Sequence, residues 1–154
     1  MKRFLIAWLA FWSVAPLCVH CQGASKSGYW IDPGTHLMWT AADNGSGLSW
    51  LQAGRYCRDL RLGGFHNWEL PSIDDLQGLV GESSGQSTYR IKAPIKLTGW
   101  QWSSTPGKQD GEGWALDFGD SGRASVAAGD SGLNRALCVR DRSGHKRPQR
   151  HSGG

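Results

Sequence analysis

Ser49-Trp50-Leu51-Gln52-Ala53-Gly54-Arg55-Tyr56-Cys57-Arg58-Asp59-Leu60-Arg61-Leu62 is the stretch whose reading organises the rest of the chain. Ser49 and Gln52 have the spacing of a capping box, in which the hydroxyl takes an orphan amide and the glutamine reaches back to the cap. Ala53, Cys57 and Leu60 follow at intervals of four and three, the period of one helical face. Arg55, Arg58, Asp59 and Arg61 then turn to water, and Gly63-Gly64 stops the helix. A helix over about 49–62 therefore carries a cysteine on its inner face.

Whether that cysteine has a partner depends on the start of the chain. Met1-Lys2-Arg3 is positive, and Phe4 to Val19 is uncharged and almost wholly apolar. This is the layout of a secretory signal peptide, too short and wrongly flanked for a stable membrane span. We place a signal peptide at 1–23, with an uncleaved anchor as the competing reading, and a short polar linker at 24–28. Of the four cysteines, Cys18 and Cys21 fall inside the signal. Cys57 and Cys138 remain, and export delivers them to an oxidising compartment, periplasmic or at the cell surface or beyond. A bridge between them closes a loop of about 80 residues and stabilises the fold by roughly 4 kcal/mol. No other segment is long or apolar enough to cross a bilayer, so no transmembrane segment is expected in the mature chain.

Working outward from the helix, Tyr29 to Asp32 and His36 to Thr40 read as a hairpin around Pro33-Gly34. Trp68 to Pro71 is a short extended piece. Ser72 caps a second helix with Ile73, Leu76 and Val80 inward, favoured by Asp74 and Asp75 at its positive end and closed by Gly81. Residues 82–98 read as polar and irregular, longer than an ordinary connection and therefore marked as a functional loop. Trp114–Phe118, Arg123–Ala128 and Arg135–Arg140 are strand-like, separated by Gly-Asp-Ser-Gly turns at 119–122 and 129–132. The expected fold class is α+β: an N-terminal hairpin, two helices, a long loop and a C-terminal antiparallel meander. One disulfide joins the first helix to the last strand.

The formal charge of +4 is unevenly spread. From Gln22 to Val139 there are 10 basic residues against 12 acids, a net −2, whereas from Arg140 onward there are 5 against one, a net +4. The basicity belongs to the 141–154 tail, expected to be disordered, and not to a nucleic-acid-binding face. Arg142, Lys146, Arg147 and Arg150 of that tail can hold an anionic surface by salt-sensitive attraction. A merely solubilising tail is the competing reading.

Within the domain, the Gly-Asp-Ser-Gly runs resemble a serine-protease nucleophile site, but neither is followed by the expected Gly-Pro and no matching histidine motif occurs. They read as turns. Histidines 20, 36, 66, 145 and 151 lack zinc spacing. Asp110, Glu112, Asp117, Asp120 and Asp130 lie in or beside loops, yet calcium wants six to eight converging oxygens, so solvated carboxylates are the favoured reading. Seven tryptophans follow the signal. Trp39, Trp68 and Trp114 alternate with apolar neighbours as core residues do. Trp100 and Trp102 flank Gln101 after the long loop, where an exposed indole can stack on a sugar or anchor a protein. With Asp110 and Glu112 they form the expected ligand-binding set. No catalytic residue, metal or cofactor is expected.

Six segments, in order, resemble a known family. They are Asp32–Thr40 with Leu37-Met38-Trp39-Thr40; Ala53–Cys57 with Leu62-Gly63-Gly64-Phe65; and Trp68-x-Leu70-Pro71-Ser72 with Asp75-Leu76. The others are Trp102-Ser103-Ser104-Thr105, Asp117-Phe118, and Arg135-Ala136-Leu137-Cys138-Val139-Arg140. Together, over about Tyr29 to Arg140, they resemble the Lcl C-terminal domain family, named for the end domain of a bacterial collagen-like adhesin. The resemblance implies a compact domain related to C-type lectin-like folds, which also tie the first helix to the last strand. The naming adhesin binds sulfated glycosaminoglycans and host surfaces; most members have no assigned activity.

This chain departs from the pattern at Asn67 and Glu69 and in lacking a collagen-like repeat, and it also lacks a calcium-lectin triplet. Asn67 and Glu69 flank Trp68 where Asp and Arg are usual, altering a local salt bridge. No Gly-x-y repeat precedes the domain, and the Glu-Pro-Asn triplet of calcium-dependent sugar sites is missing. The functional expectation is an exported, non-catalytic, adhesin-like binding domain for a glycan or protein of the envelope, with an envelope scaffold as the alternative. An enzyme is the third reading, since one lectin-like class oxidises sulfatase cysteines. It needs reactive cysteines or copper, and only a structural pair is expected here.

Overall fold

The computed structural model describes residues 28–81, 90–120 and 122–143. The expected signal peptide, all but the last residue of the 24–28 linker, and the tail beyond Ser143 lie outside the described residues.

The chain begins as expected with a hairpin. Strands β1 (Tyr29–Ile31) and β2 (Leu37–Thr40) pair antiparallel with Trp30 opposite Trp39. Asp32 organises the turn: Oδ1 accepts from the Gly34 amide at 2.9 Å, and Oδ2 from the Thr35 hydroxyl at 2.8 Å. Asp32 is only 5% exposed. Burial alone would raise its pKa, but the Gly34 amide, the Thr35 hydroxyl and the charge of Lys92 outweigh it. The carboxyl is held below the ordinary value. A depressed folded-state pKa contributes stability above the unfolded value of about 3.9, lost as pH falls through the folded value. Urea unfolding should therefore find Asp32→Asn less stable than wild type at pH 6–7. The gap should close on acidification toward about pH 2; a gap independent of pH would refute this role.

Helix α1 (Trp50–Asp59) has both bonds of its capping box, with Ser49 N donating to Gln52 Oε1 at 2.9 Å and Gln52 N to Ser49 Oγ at 3.4 Å. Ala53 and Cys57 are buried as expected, but the helix stops at Asp59. Leu60 turns extended, and its amide bonds back to Cys57 O. Gly63 and Gly64, at φ 62° and 81°, instead make a tight turn in which Leu62 and Phe65 exchange backbone bonds. Helix α2 (Ile73–Leu79) has a second capping box, Ser72 with Asp75. It buries Leu79 rather than Val80, because Val80 has already become extended and bridges Ile91.

Two further expectations are corrected. Residues 90–98 are not a polar loop: Ile91, Ala93, Ile95 and Leu97 are buried while Lys92, Pro94 and Lys96 face water. Alternate residues thus line a strap across the core, bent where Ile95 N donates back to Ala93 O and pinned by the Val80–Ile91 and Ala42–Lys96 bridges. Residues 82–89 of the expected loop lie outside the described residues.

The second correction concerns the C-terminal meander. Strands β3 (Trp100–Pro106), β4 (Glu112–Leu116) and β5 (Arg123–Ala127) form it, antiparallel throughout. The expected strand at 135–140 is two pieces. β6 (Asn134–Arg135) lies parallel to β3, and β7 (Val139–Asp141) is antiparallel to β2. Between them the backbone changes sheets, with Ala136 O accepting from Asn44 N and Cys138 O from Thr40 N. The result is a three-stranded sheet, β1-β2-β7, and a four-stranded one, β5-β4-β3-β6. Strand β7 ends on Asp141, which pairs with Leu37.

Cys138 lies in the crossing segment and is bridged to Cys57 of α1, with the Cα atoms 5.5 Å apart. The disulfide sits in a buried cluster with Met38, Trp68, Trp102 and Ala115. A second cluster, built on Trp39, Leu76, Leu79, Leu116, Phe118 and Leu137, lies beneath α2 and the strap.

Candidate functional site

The sequence places four residues in a ligand site, and the structure separates them. Trp102 is fully buried, 0% exposed, with its indole N–H donating to Leu48 O at 2.7 Å. β3 lies between β4 and β6 with cover on both faces, so Gln101, Trp102 and Ser103 are all buried. Trp102 is therefore a core residue and cannot stack on a ligand. Trp100 is half-buried against the disulfide cluster, at the end of β3 far from Asp110. Asp110 is exposed in the β3–β4 turn. Glu112 is committed internally, its Oε2 accepting from the Ser125 hydroxyl.

That last bond builds a different site. In the β4–β5 ladder Trp114 faces Ser125, and Leu116 faces Arg123, so Arg123 is the diagonal neighbour of Trp114 on the same face. Ser125 Oγ also accepts from the Lys108 amide at 2.7 Å, which ties the β3–β4 turn down beside the strand. Lys108 Nζ then lies 5.6 Å from the Trp114 ring centroid, and Arg123 Cζ lies 5.1 Å from it. Arg123 reaches across to Gln77 of α2 at 3.5 Å.

Trp114 is thus only half-buried, packed against the α2-side core and flanked by two cations. This corrects the expectation that it is a core residue. Along that face α2 runs from Ile73, whose amide donates to Thr105 Oγ1, to Gln77 beside Arg123, so Trp114 packs on its core side while keeping part of its ring in solvent. Cation–π contact stabilises such an arrangement by about 0.5–1 kcal/mol at exposed positions. Among the described residues neither cation has a carboxylate within ion-pair distance. Chemically the patch offers one flat apolar surface and two cations beside it, complementary to a ligand with an apolar face and an acidic group.

Lys108 and Arg123 are not singled out by the sequence reading, which places Arg123 only at the start of a strand and gives Lys108 no role. Their signal is the ladder: a Gly-Asp-Ser-Gly turn between Trp114 and Ser125 sets Arg123 two places from the tryptophan's partner. The acids of these turns act locally. Asp117, Asp120 and Asp130 each accept from the amide two residues on, at Gly119, Gly122 and Gly132, as Asx turns do. Among the described residues no group of three or more His, Cys, Asp or Glu side chains could hold a metal ion. Of the tail cations Arg142 is exposed, and Lys146, Arg147 and Arg150 lie outside the described residues. No helix among the described residues is long and apolar enough to cross a membrane.

An α+β domain with two short helices, two small sheets and a disulfide from the first helix to the C-terminal crossing is compatible with a C-type lectin-like plan. The chain belongs to the Lcl C-terminal domain family, whose model matches residues 28–140. No curated protein matches it.

Proposed function

We propose that this chain is an exported, non-catalytic recognition module of the bacterial envelope or cell surface, adhesin-like in the broad sense, that holds an acidic glycan at Trp114. The observation that carries this reading is the half-buried Trp114 ring between Lys108 and Arg123, neither of which has a carboxylate within ion-pair distance among the described residues. A sugar ring has an apolar face that stacks on indole, and its acidic substituents pair with the flanking cations. Export is supported by the amino-terminal apolar stretch and by the buried disulfide.

A glycan array that includes heparin, read at physiological salt, tests the reading. Trp114→Ala should weaken binding by about 30-fold, as a central aromatic contact does. Lys108→Gln with Arg123→Gln should flatten the salt dependence. Unfolding midpoints measured alongside separate lost contact from lost fold. No glycan bound, or undiminished binding by folded Trp114→Ala, would overturn the proposal. A second reading, an envelope scaffold, is favoured by Leu51, 60% exposed on the outward face of α1, and predicts co-purification with envelope proteins.

A further inference from the structure

We propose that Arg140 is the anchor of a carboxylate-binding site, separate from the Trp114 patch. Arg140 lies on β7 opposite Met38 and is 4% exposed. Its guanidinium stacks over Phe65 with Cζ 4.0 Å from the ring centroid. Nε donates to Asn67 Oδ1 at 2.9 Å, and Nη1 points at Met38 Sδ at 2.7 Å.

None of these partners is charged. A guanidinium keeps its proton in a protein and has five N–H donors, and a buried charge ordinarily finds a counter-ion. Arg140 has a neutral amide, a thioether and an aromatic face, and among the described residues no carboxylate lies within ion-pair distance of it. Asp141 cannot serve, because successive strand residues point to opposite faces and its Oδ1 accepts from the Ser143 amide.

The remaining nitrogen, Nη2, has no acceptor among the described residues. It is also absent from the enclosed, unpaired side-chain atoms among the described residues, which are Trp39 Nε1, Trp68 Nε1 and Gln101 Oε1. It is therefore not fully enclosed, and it belongs to a guanidinium stacked on Phe65, one ring of the Tyr29–Phe65–Trp68 aromatic group. With Nη1 it presents an edge of in-plane donors, the geometry that a planar carboxylate takes in two parallel bonds. The aromatic rim suits the apolar part of the molecule carrying that carboxylate.

Melting of the full chain in sodium acetate against sodium chloride at equal ionic strength and neutral pH tests the site. Acetate should raise the wild-type melting temperature in a saturable way, by roughly 5 °C once tenfold above its dissociation constant. The Arg140 Nε–H resonance should shift along the same curve. Asn67→Asp supplies an internal carboxylate, so it should raise the melting temperature by itself and abolish the acetate–chloride difference. Arg140→Met should abolish the difference too. Equal wild-type melting in both salts overturns the proposal, as does an acetate effect that persists in either variant. Should neither variant fold, the wild-type comparison and the Arg140 resonance decide. Failure here leaves the Trp114 reading intact, since none of these residues belongs to that patch.

Discussion

Replacing Cys57 and Cys138 together by alanine should lower the stability by at least about 4 kcal/mol, because the bridge restricts an unfolded loop of 81-residue separation. The loss should be larger than loop closure alone, since both sulfurs are buried in the cluster that holds Trp68 and Trp102, and alanines there leave a void. The bridge also clamps α1 onto the segment that passes from one sheet to the other. Urea unfolding of wild type and double variant, read by tryptophan fluorescence, measures the difference. A midpoint shift worth under about 1 kcal/mol would show that the domain is held by packing alone.

Trp102→Ala should cost about 3–5 kcal/mol, the range for emptying a large aromatic site in a core. The ring is wholly enclosed, and its N–H anchors Leu48 O just before the α1 cap, so the substitution also orphans a carbonyl. Trp102→Phe should recover most of the packing but not that bond. Trp100→Ala, at a half-buried position, should cost distinctly less. Equal losses at 100 and 102 would contradict the burial that removes Trp102 from the ligand site.

What could be read from the residues was whatever has a local cause. Both helix starts were legible because Ser49 with Gln52, and Ser72 as a cap, are short-range hydrogen-bond arrangements. The hairpin at Pro33-Gly34 and the Gly-Asp-Ser-Gly turns were legible for the same reason. The partner of Cys57 followed once the other two cysteines were assigned to a signal.

Long-range pairing was not legible. Nothing local in Arg135 to Arg140 says that Arg135 joins β3 while Arg140 joins β2; that division depends on which neighbour offers free backbone. The strap was misread because its lysines and proline hide an alternation visible only as Ile91, Ala93, Ile95, Leu97. The candidate site shifted from Trp102 to Trp114 on facing: Trp102 shares the disulfide-side face with Ala115 and is enclosed, whereas Trp114 is on the other face of the sheet and only half-buried.

The passage of residues 134–141 between sheets bears on how the chain acquires its shape in time. β2 is made early but finds its second partner, β7, only across about a hundred residues, with Leu37 meeting Asp141. Such non-local pairing is slow, because the ends must meet before the contact rewards them. A chain emerging from its amino end cannot complete either sheet until Asn134 to Asp141 are free. Until then Leu37, Met38 and the Cys57 thiol lack their final cover. Molecules shortened by even these eight residues should stay open and prone to wrong associations.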